Sequence, residues 1–192
     1  RAACSGECFG VLTSMIVAAK ALPYLSMLNL VKCQVDLLDK NSFICIAPPE
    51  LLTATEDLVW PGDSEHWMNT FFEDVRPEHL AELPELERQL GRKVEVFDEQ
   101  KADRIIDFLL TANARSESET LYVNCTAGVS RSGALASFAA EIFEIDRKQF
   151  KQENPRIMPN GLVLYLLRER FHLRNNSGKA GRAVAQQRVS AN

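Results

Sequence analysis

The sequence predicts an α/β fold, in which a central, mainly parallel sheet is flanked by helices. Short apolar runs such as residues 43–47 alternate along the chain with segments whose apolar side chains recur every three or four positions. That alternation of strand-like and helix-like segments is typical of parallel sheets covered by helices. With 192 residues, 46% of them hydrophobic, the chain is long enough for one domain with a substantial core.

The N-terminal segment, residues 1–40, is predicted to form a helical extension. Residues 11–22 carry apolar side chains at helical spacing and are expected to form an amphipathic helix. Lys20 and Pro23 interrupt the apolar stretch 11–31, so it is too short to span a bilayer, and we expect no membrane association. The sequence leaves open whether this extension joins the core.

Two strands are expected in the next part of the chain. The apolar run 43–47 ends at Pro48 and Pro49, which is typical of a buried parallel strand. Residues 67–73 form a second strand-like run. The stretch 76–93 that follows is charged and broken by prolines and a glycine, so it is expected to be an exposed insertion.

Three helices and a strand complete the alternation. Residues 98–114 show helical spacing of apolar side chains, and Asp98 is expected to cap the helix that begins there. A strand is predicted over 121–124, and the apolar positions of 134–143 predict a helix soon after it. The segment 159–173 predicts a last helix that ends near residue 173.

Charge is unevenly spread along the chain. Residues 174–192 hold four basic residues and no acidic one, whereas the remainder holds 18 basic against 26 acidic residues. An acidic body lacks the basic face that nucleic-acid binding requires, which argues against that function. The tail 174–192, rich in small and polar residues, is expected to be disordered. Five cysteines without a repeating spacing favour a reducing compartment, and we expect a cytoplasmic protein.

Residues 125–132, Cys-Thr-Ala-Gly-Val-Ser-Arg-Ser, carry the strongest chemical signal in the chain. The cysteine follows an apolar run and precedes a helix-like segment, so the backbone amides of the loop and the N-terminus of the helix are expected to point at one place. Inward amide dipoles bind anions and lower the pKa of a thiol. The loop is therefore predicted to grip a tetrahedral phosphate above the sulfur atom.

Each residue type in this loop suits that task. Cys125 is the predicted nucleophile, and Gly128 can adopt the positive φ that a tight bend requires. The planar guanidinium of Arg131 can hold two phosphoryl oxygens at once. The hydroxyl of Ser132 can donate to the sulfur when thiolate is regenerated. The residues expected to bind the substrate are Thr126, Ala127, Gly128, Val129, Ser130 and Ser132.

These residues resemble the signature His-Cys-x5-Arg-Ser/Thr of the cysteine-dependent protein tyrosine and dual-specificity phosphatases. Residues 127–132 are particularly similar to the compact bacterial-type members. A second segment, residues 154–160, is similar to the stretch that those enzymes carry after the loop helix. The resemblance covers roughly residues 40–173. It implies a single phosphatase-like domain over 1–173 and hydrolysis of phosphomonoesters on phosphoproteins through a phosphocysteine intermediate, without a metal or another cofactor.

One position departs from the family pattern. The histidine that precedes the cysteine in the family is Asn124 here, and asparagine carries no charge. Because that histidine helps to set the pKa of the thiol, we hypothesise that Cys125 has a higher pKa than is usual for the family and that activity is low or has an alkaline optimum. A midpoint of alkylation by iodoacetamide below about 6 would exclude this hypothesis.

A general acid is needed to protonate the leaving oxygen. In the family the acid follows a strand and precedes the helix that leads to the catalytic strand, an order that Asp74 fits. Asp98 is better explained as a helix cap. Asp63, in Trp60-Pro61-Gly62-Asp63, imitates the Trp-Pro-Asp loop of larger tyrosine phosphatases but is better explained as part of a Pro-Gly turn. Asp74 is the predicted acid.

Two other functions remain as alternatives. Without the family histidine, the loop could bind phosphopeptides and turn them over negligibly, although a pure binder has no need of the cysteine. Sulfur transfer of the rhodanese type also uses a loop cysteine, but its loops do not resemble residues 127–132. Members of the wider resembled family that act on phosphoinositides tend to carry lysines in this loop, and the loop here has none, so the resemblance implies that phosphoinositides are less favoured as substrates than phosphoproteins. The preference between phosphotyrosine and phosphoserine or phosphothreonine, and the oligomeric state, cannot be read from the sequence.

Overall fold

A computed structural model describes residues 16–48, 51, 61–115 and 119–189, and within these ranges the side chains of 35 and 177–189 are not described. The described residues form a four-stranded sheet whose strands are all parallel, in the order β1-β4-β2-β3. The predicted α/β fold with a parallel sheet is therefore confirmed. The strands are β1, Ile16–Pro23; β2, Ser42–Ile46; β3, Trp67–Thr70; and β4, Glu119–Cys125.

Helices cover both faces of this sheet. The larger core lies between one face and the helices α3, α4 and α6, and a smaller core lies between the other face and α1. In the described part of the chain no helix combines the length and the hydropathy needed to cross a bilayer. The helices are α1, Tyr24–Cys33; α2, Leu83–Leu90; α3, Glu99–Asn113; α4, Arg131–Ile142; α5, Arg147–Glu153; and α6, Gly161–Val189.

The central strands are buried on both faces, as their apolar sequences require. All five residues of β2 are buried, and Leu121 and Val123 of β4 face the larger core. On the opposite face Phe43 stacks against Trp67, with ring centroids 4.9 Å apart, and against Tyr122, with centroids 5.3 Å apart. The centre of the sheet is thus tightly packed, and β4, which lies in it, places Cys125 at the carboxyl edge of the sheet.

The helix expected over residues 11–22 is not found in the part of it that the structure describes, whereas residues 24–33 of the predicted helical extension do form a helix, α1. Residues 16–23 form the edge strand β1, which pairs along β4 as far as the match of Pro23 with Cys125. The strand belongs to the domain core. A short apolar run fits strand and helix templates equally well, and here pairing with β4 decides in favour of the strand. Residues 1–15 lie outside the described residues.

The edge of the sheet at β1 is closed by a side chain. The Asn154 carboxamide accepts a hydrogen bond from the Ala21 amide (2.7 Å) and donates one to the Ala19 carbonyl (2.8 Å). Asn154 is buried, so these bonds satisfy backbone groups that an edge strand leaves unpaired. The segment after α5 is thereby attached to the sheet.

The C-terminal expectation also needs correction. The last helix does not end near residue 173 but continues to Val189, so residues 174–189 are helical rather than disordered. Arg170 and Arg174 on this helix form ion pairs with Asp103 (2.6 and 3.2 Å), and Arg174 also pairs with Asp107 (2.8 Å). These contacts join α6 to α3, and the alanines, glutamines and arginines of the tail are good helix formers. Residues 190–192 lie outside the described residues.

The middle of the chain follows the expected pattern. The helix predicted over 98–114 is α3, and the Asp98 carboxylate accepts a hydrogen bond from the Lys101 amide (2.8 Å), as a helix cap does. The strand expected over 67–73 ends at Thr70. Residues 77–90 form a 3₁₀ turn, Pro77–Glu82, followed by α2, and none of their side chains is buried. This agrees with an exposed insertion.

Candidate functional site

Cys125 lies at the carboxyl end of β4, where a tight loop leads into α4. Its side chain is only 2% exposed. The sulfur lies 3.1 Å from the Ser132 hydroxyl. The backbone amides of Gly128, Val129 and Ser132 lie close enough to the sulfur to lower the pKa of the thiol. One hydroxyl and three backbone amides of the loop therefore act on the ionisation of this sulfur.

These contacts set the ionisation of the thiol. Burial alone raises the pKa of Cys125, because desolvation disfavours the thiolate. The hydrogen bond with the Ser132 hydroxyl and the nearby amides of Ser132, Val129 and Gly128 outweigh burial and hold the pKa of the thiol below its ordinary value. These donors therefore favour the thiolate relative to an ordinary cysteine.

The loop adopts this form because its carbonyls are bound on the outside. The carbonyls of Val129 and Ser130 accept hydrogen bonds from the amides of Met158 and Asn160, each 3.1 Å long. The Thr126 carbonyl accepts one from the Tyr24 amide (3.3 Å). With the carbonyls turned outward, the amides are left facing inward.

Gly128 is the bend of the loop, with φ of 72°. A Cβ at this position would lie 2.4 Å from the Pro23 nitrogen and 2.5 Å from the Leu22 carbonyl carbon. The loop therefore packs against the junction of β1 and α1 as closely as backbone atoms allow, and only glycine fits there.

The Arg131 guanidinium lies beside the loop and joins it to the chain segment after β3. Its Nη1 donates to the Phe72 carbonyl (2.7 Å), and its Nη2 donates to the Thr126 hydroxyl (3.1 Å). Its Nε is buried and has no hydrogen-bond partner among the described residues. Within the described residues the guanidinium is thus bound to neutral oxygens and pairs with no carboxylate, so its positive charge is not neutralised there.

Asp74 contacts the loop directly. Its Oδ1 accepts a hydrogen bond from the Ser130 hydroxyl (2.7 Å) and another from the Asn160 amide group (2.7 Å). Within the described residues no donor reaches its Oδ2. The carboxyl group is exposed at the site, so Oδ2 is the atom on which a transferable proton can reside.

The other two aspartates considered from the sequence have structural partners away from the loop. Asp98 caps α3. Asp63 accepts a hydrogen bond from the Asn69 amide (2.7 Å) and pairs with Arg104, as expected for a turn residue. Of the three candidates, the structure brings only Asp74 to residues 125–132.

Asn160 connects Asp74 to the start of α6, a role that the sequence did not predict. Its side-chain nitrogen donates both to Asp74 and to the Val75 carbonyl (2.9 Å). Its side-chain oxygen accepts from the Leu162 and Val163 amides (3.0 and 3.1 Å) and so caps α6. The signal available in the sequence was Pro-Asn before an apolar helix, which predicts a cap but not the contact with Asp74.

Asn124 faces away from the Cys125 sulfur. Successive residues of a strand point to opposite faces, and Asn124 is paired in register with Cys45, which belongs to the core under α1. Its carboxamide is fully buried and makes no regular hydrogen bond within the described residues. Burial raises the pKa of the Cys45 thiol to about 12, an effect that the nearby Asn124 amide partly offsets. Asn124 therefore borders Cys45 instead of the predicted nucleophile.

The remaining predicted site residues line the loop at different depths. Gly128, Ser130 and Ser132 are buried, and Val129 is half-buried. Thr126 and Ala127 are exposed at the mouth. Thr126 contacts Arg131 through its hydroxyl, so it takes part in holding the guanidinium.

The hydrogen bonds to the sulfur predict how Cys125 reacts with iodoacetamide. We expect its alkylation rate to rise with pH at a lower midpoint in the native protein than in urea-unfolded protein, because the native donors stabilise the thiolate. Ser132→Ala should raise the native midpoint by removing the hydroxyl donor. Alkylation of each cysteine is followed by mass spectrometry, with Cys33→Ser removing an exposed thiol. A native midpoint at or above the unfolded one would contradict this picture.

Comparison with models of protein families, with curated proteins and with solved structures found no match to this chain. Function has to be inferred from the residues of the site and from the family resemblance of their sequence.

Proposed function

We propose that this protein is a cysteine-dependent phosphatase of the tyrosine or dual-specificity type, which hydrolyses phosphomonoesters on proteins. One observation carries the proposal: the Cys125 sulfur lies 3.1 Å from the Ser132 hydroxyl, at the end of a loop whose Gly128, Val129 and Ser132 amides lie close enough to lower the pKa of the thiol. We call residues 125–132 the cradle around Cys125. Donors placed around a sulfur in this way stabilise a thiolate and can also bind phosphoryl oxygens. Arg131 and Asp74 lie at the same loop, where the reaction needs a cation and a proton donor.

The first step transfers the phosphoryl group to sulfur. The Cys125 thiolate attacks phosphorus, the S–P bond forms, and the bond between phosphorus and the ester oxygen breaks. Asp74 gives the proton from its Oδ2 to the leaving oxygen, which departs as an alcohol or phenol. Arg131 holds the equatorial oxygens as negative charge gathers on them.

The second step hydrolyses the phosphocysteine. Asp74, now a carboxylate, takes a proton from a water molecule whose oxygen attacks phosphorus, and the S–P bond breaks to release inorganic phosphate. The Ser132 hydroxyl, 3.1 Å from the sulfur, donates to the thiolate as it leaves. Ser130 and Asn160 keep Asp74 in place through both steps by their hydrogen bonds to its Oδ1.

Phosphoproteins are the proposed substrates. The loop carries no lysine beside Arg131, which favours phosphoproteins over multiply charged phosphoinositides. A thiolate nucleophile needs a reducing compartment, so the proposed location is the cytoplasm.

We expect Asp74→Asn to lower kcat for phenyl phosphate by about 100-fold or more, since a poor leaving group needs the proton. The loss for p-nitrophenyl phosphate should be smaller, because p-nitrophenolate leaves without full protonation. Asparagine retains an Oδ1 that accepts the bonds from Ser130 and Asn160, so the loop should keep its form. Steady-state kinetics with the two esters and with a phosphotyrosine peptide measure the difference.

Asp63→Asn is the matched control for this substitution. Asp63, shortly before β3, is also an aspartate whose surroundings in sequence resemble those of a family acid. Its partners, however, are Asn69 and Arg104. Its replacement should leave both rates within about twofold. Equal losses for the two esters in Asp74→Asn, or an unchanged rate on the phosphotyrosine peptide, would remove Asp74 from the role of acid.

A second candidate function, phosphopeptide binding without turnover, is favoured by one observation. Asn124 occupies the position of the family histidine, and its carboxamide lies beside Cys45 rather than beside Cys125. The two functions differ in a single measurable property, because both predict binding of a phosphopeptide and only one predicts release of inorganic phosphate.

A further inference from the structure

A groove of about 870 Å³ lies between α4, α5 and α6, separate from the cradle around Cys125. We call it the α4–α6 groove. Concave surfaces of this volume with an apolar floor are the usual form of ligand sites. The apolar side chains that line it are buried or half-buried: Ala140, Ile145, Phe150, Ile157 and Leu164.

The α5 rim of the groove is cationic. Arg147 and Lys151 lie one helical turn apart, are exposed, and form no ion pair within the part of the chain that the structure describes. Residues 147–156 carry four basic residues and one acidic residue. This concentration is unlike the rest of residues 1–173, where acidic residues outnumber basic ones by 25 to 14. The rim is therefore a local site of attraction for anions.

The opposite rim is closer to neutral. Glu141 and Arg168 neutralise each other through two hydrogen bonds of 2.8 and 2.9 Å. Glu144 is exposed on the same side. With Arg147 and Lys151 unpaired, the lining as a whole carries an excess of positive charge.

One wall of the groove, residues 154–157, belongs to a segment that also contacts the loop 125–132. Asn154, Pro155 and Ile157 line the groove, and the same segment, residues 154–160, continues to the loop. The amides of Met158 and Asn160 donate to carbonyls of the loop. A Cβ at Gly133, in the first turn of α4, would lie 3.1 Å from the Ile157 Cβ. A change in the position of the wall is thus transmitted to the loop by direct contacts.

We propose that the α4–α6 groove docks an acidic peptide segment of a protein partner, with one large apolar side chain between its carboxylates. The apolar side chain packs on the floor beside Phe150, and the carboxylates pair with Arg147 and Lys151. Charge complementarity selects this occupant: the groove offers an apolar floor and unpaired cations in a protein whose body is otherwise acidic. The docking requires no turnover, so it holds or fails independently of the proposed phosphatase activity.

The test uses capped pentapeptides of the pattern Glu-Glu-X-Glu-Glu, with leucine, phenylalanine or tryptophan at X, titrated into ¹⁵N-labelled full-length protein. We expect saturable shifts of amide resonances in residues 141–157, with a Kd below about 1 mM, and smaller shifts at Val129 and Ser130. Peptides in which glutamine replaces glutamate, or alanine occupies X, should bind at least about tenfold more weakly.

Charge reversal provides the matched variants. Arg147→Glu combined with Lys151→Glu should weaken binding at least about tenfold. The control is Lys32→Glu combined with Lys40→Glu, which makes the same change of net charge at two exposed positions. Lys32 lies on α1 and Lys40 follows it, on the opposite face of the sheet from the groove. This control variant should leave the Kd within about twofold. Absence of saturable shifts with all three peptides, or equal losses in both double variants, would overturn the proposal. Concentration-dependent shifts of the same amides without peptide would instead assign the groove to a second copy of this chain.

Discussion

Cys125→Ser is expected to lower release of p-nitrophenol from p-nitrophenyl phosphate by about 10⁴-fold or more. The donors near the sulfur hold the pKa of the Cys125 thiol below its ordinary value and so favour the thiolate, whereas a serine hydroxyl in the same cradle remains protonated. The loop amides and Arg131 do not depend on the sulfur for their position. The variant should therefore still bind a phosphotyrosine peptide, which equilibrium dialysis measures.

The combination of lost turnover and retained binding distinguishes the candidate functions. Cys33→Ser, at an exposed thiol on α1, controls for replacing a cysteine and should keep full activity. Wild-type protein that binds the peptide without releasing phosphate would establish the binding module in place of the enzyme. Protein that neither binds nor hydrolyses phosphomonoesters would leave residues 125–132 without a phosphate function.

The geometry of the loop could be predicted because the information is local. A cysteine at a strand end, a glycine where φ must be positive, and a helix directly afterwards confine the loop amides to one direction. In the structure Gly128 has φ of 72°, and amides of the loop lie close enough to the sulfur to lower the pKa of Cys125. The order of strands and helices also predicted where Asp74 would come to lie.

Other features depend on contacts between distant residues, which local patterns do not record. Residues 16–23 are a strand because β4 lies next to them, and the edge they expose is closed by Asn154, more than 130 positions later in the chain. The face on which Asn124 lies likewise follows from strand alternation and register. The hypothesis that Cys125 has a higher pKa than is usual for the family stays a prediction, which the midpoint of its alkylation tests.

Gly128→Ala is expected to destabilise the protein by about 2–5 kcal/mol and to abolish most phosphate binding. A non-glycine residue at positive φ costs about 1–2 kcal/mol, and forcing a methyl group into a packed site costs a further 1–3 kcal/mol, approximately. The added Cβ would meet backbone atoms of Leu22 and Pro23, which cannot move aside as a flexible side chain can. To relieve the contact the loop must leave β1, which turns the Gly128 and Val129 amides away from the sulfur.

Gly91 is the matched control, because it has φ of 66° and a Cβ there would meet nothing within 4 Å. Gly91→Ala incurs the conformational cost alone, about 1–2 kcal/mol, and should leave phosphate binding unchanged. Urea unfolding gives the two free energies of unfolding, and competitive inhibition by inorganic phosphate reports on the loop. If both variants lost the same free energy of unfolding and bound phosphate equally well, the close contact between the loop and Pro23 would not exist in solution. A larger loss confined to Gly128→Ala would show that the N-terminal strand holds the cradle around Cys125 in its anion-binding form.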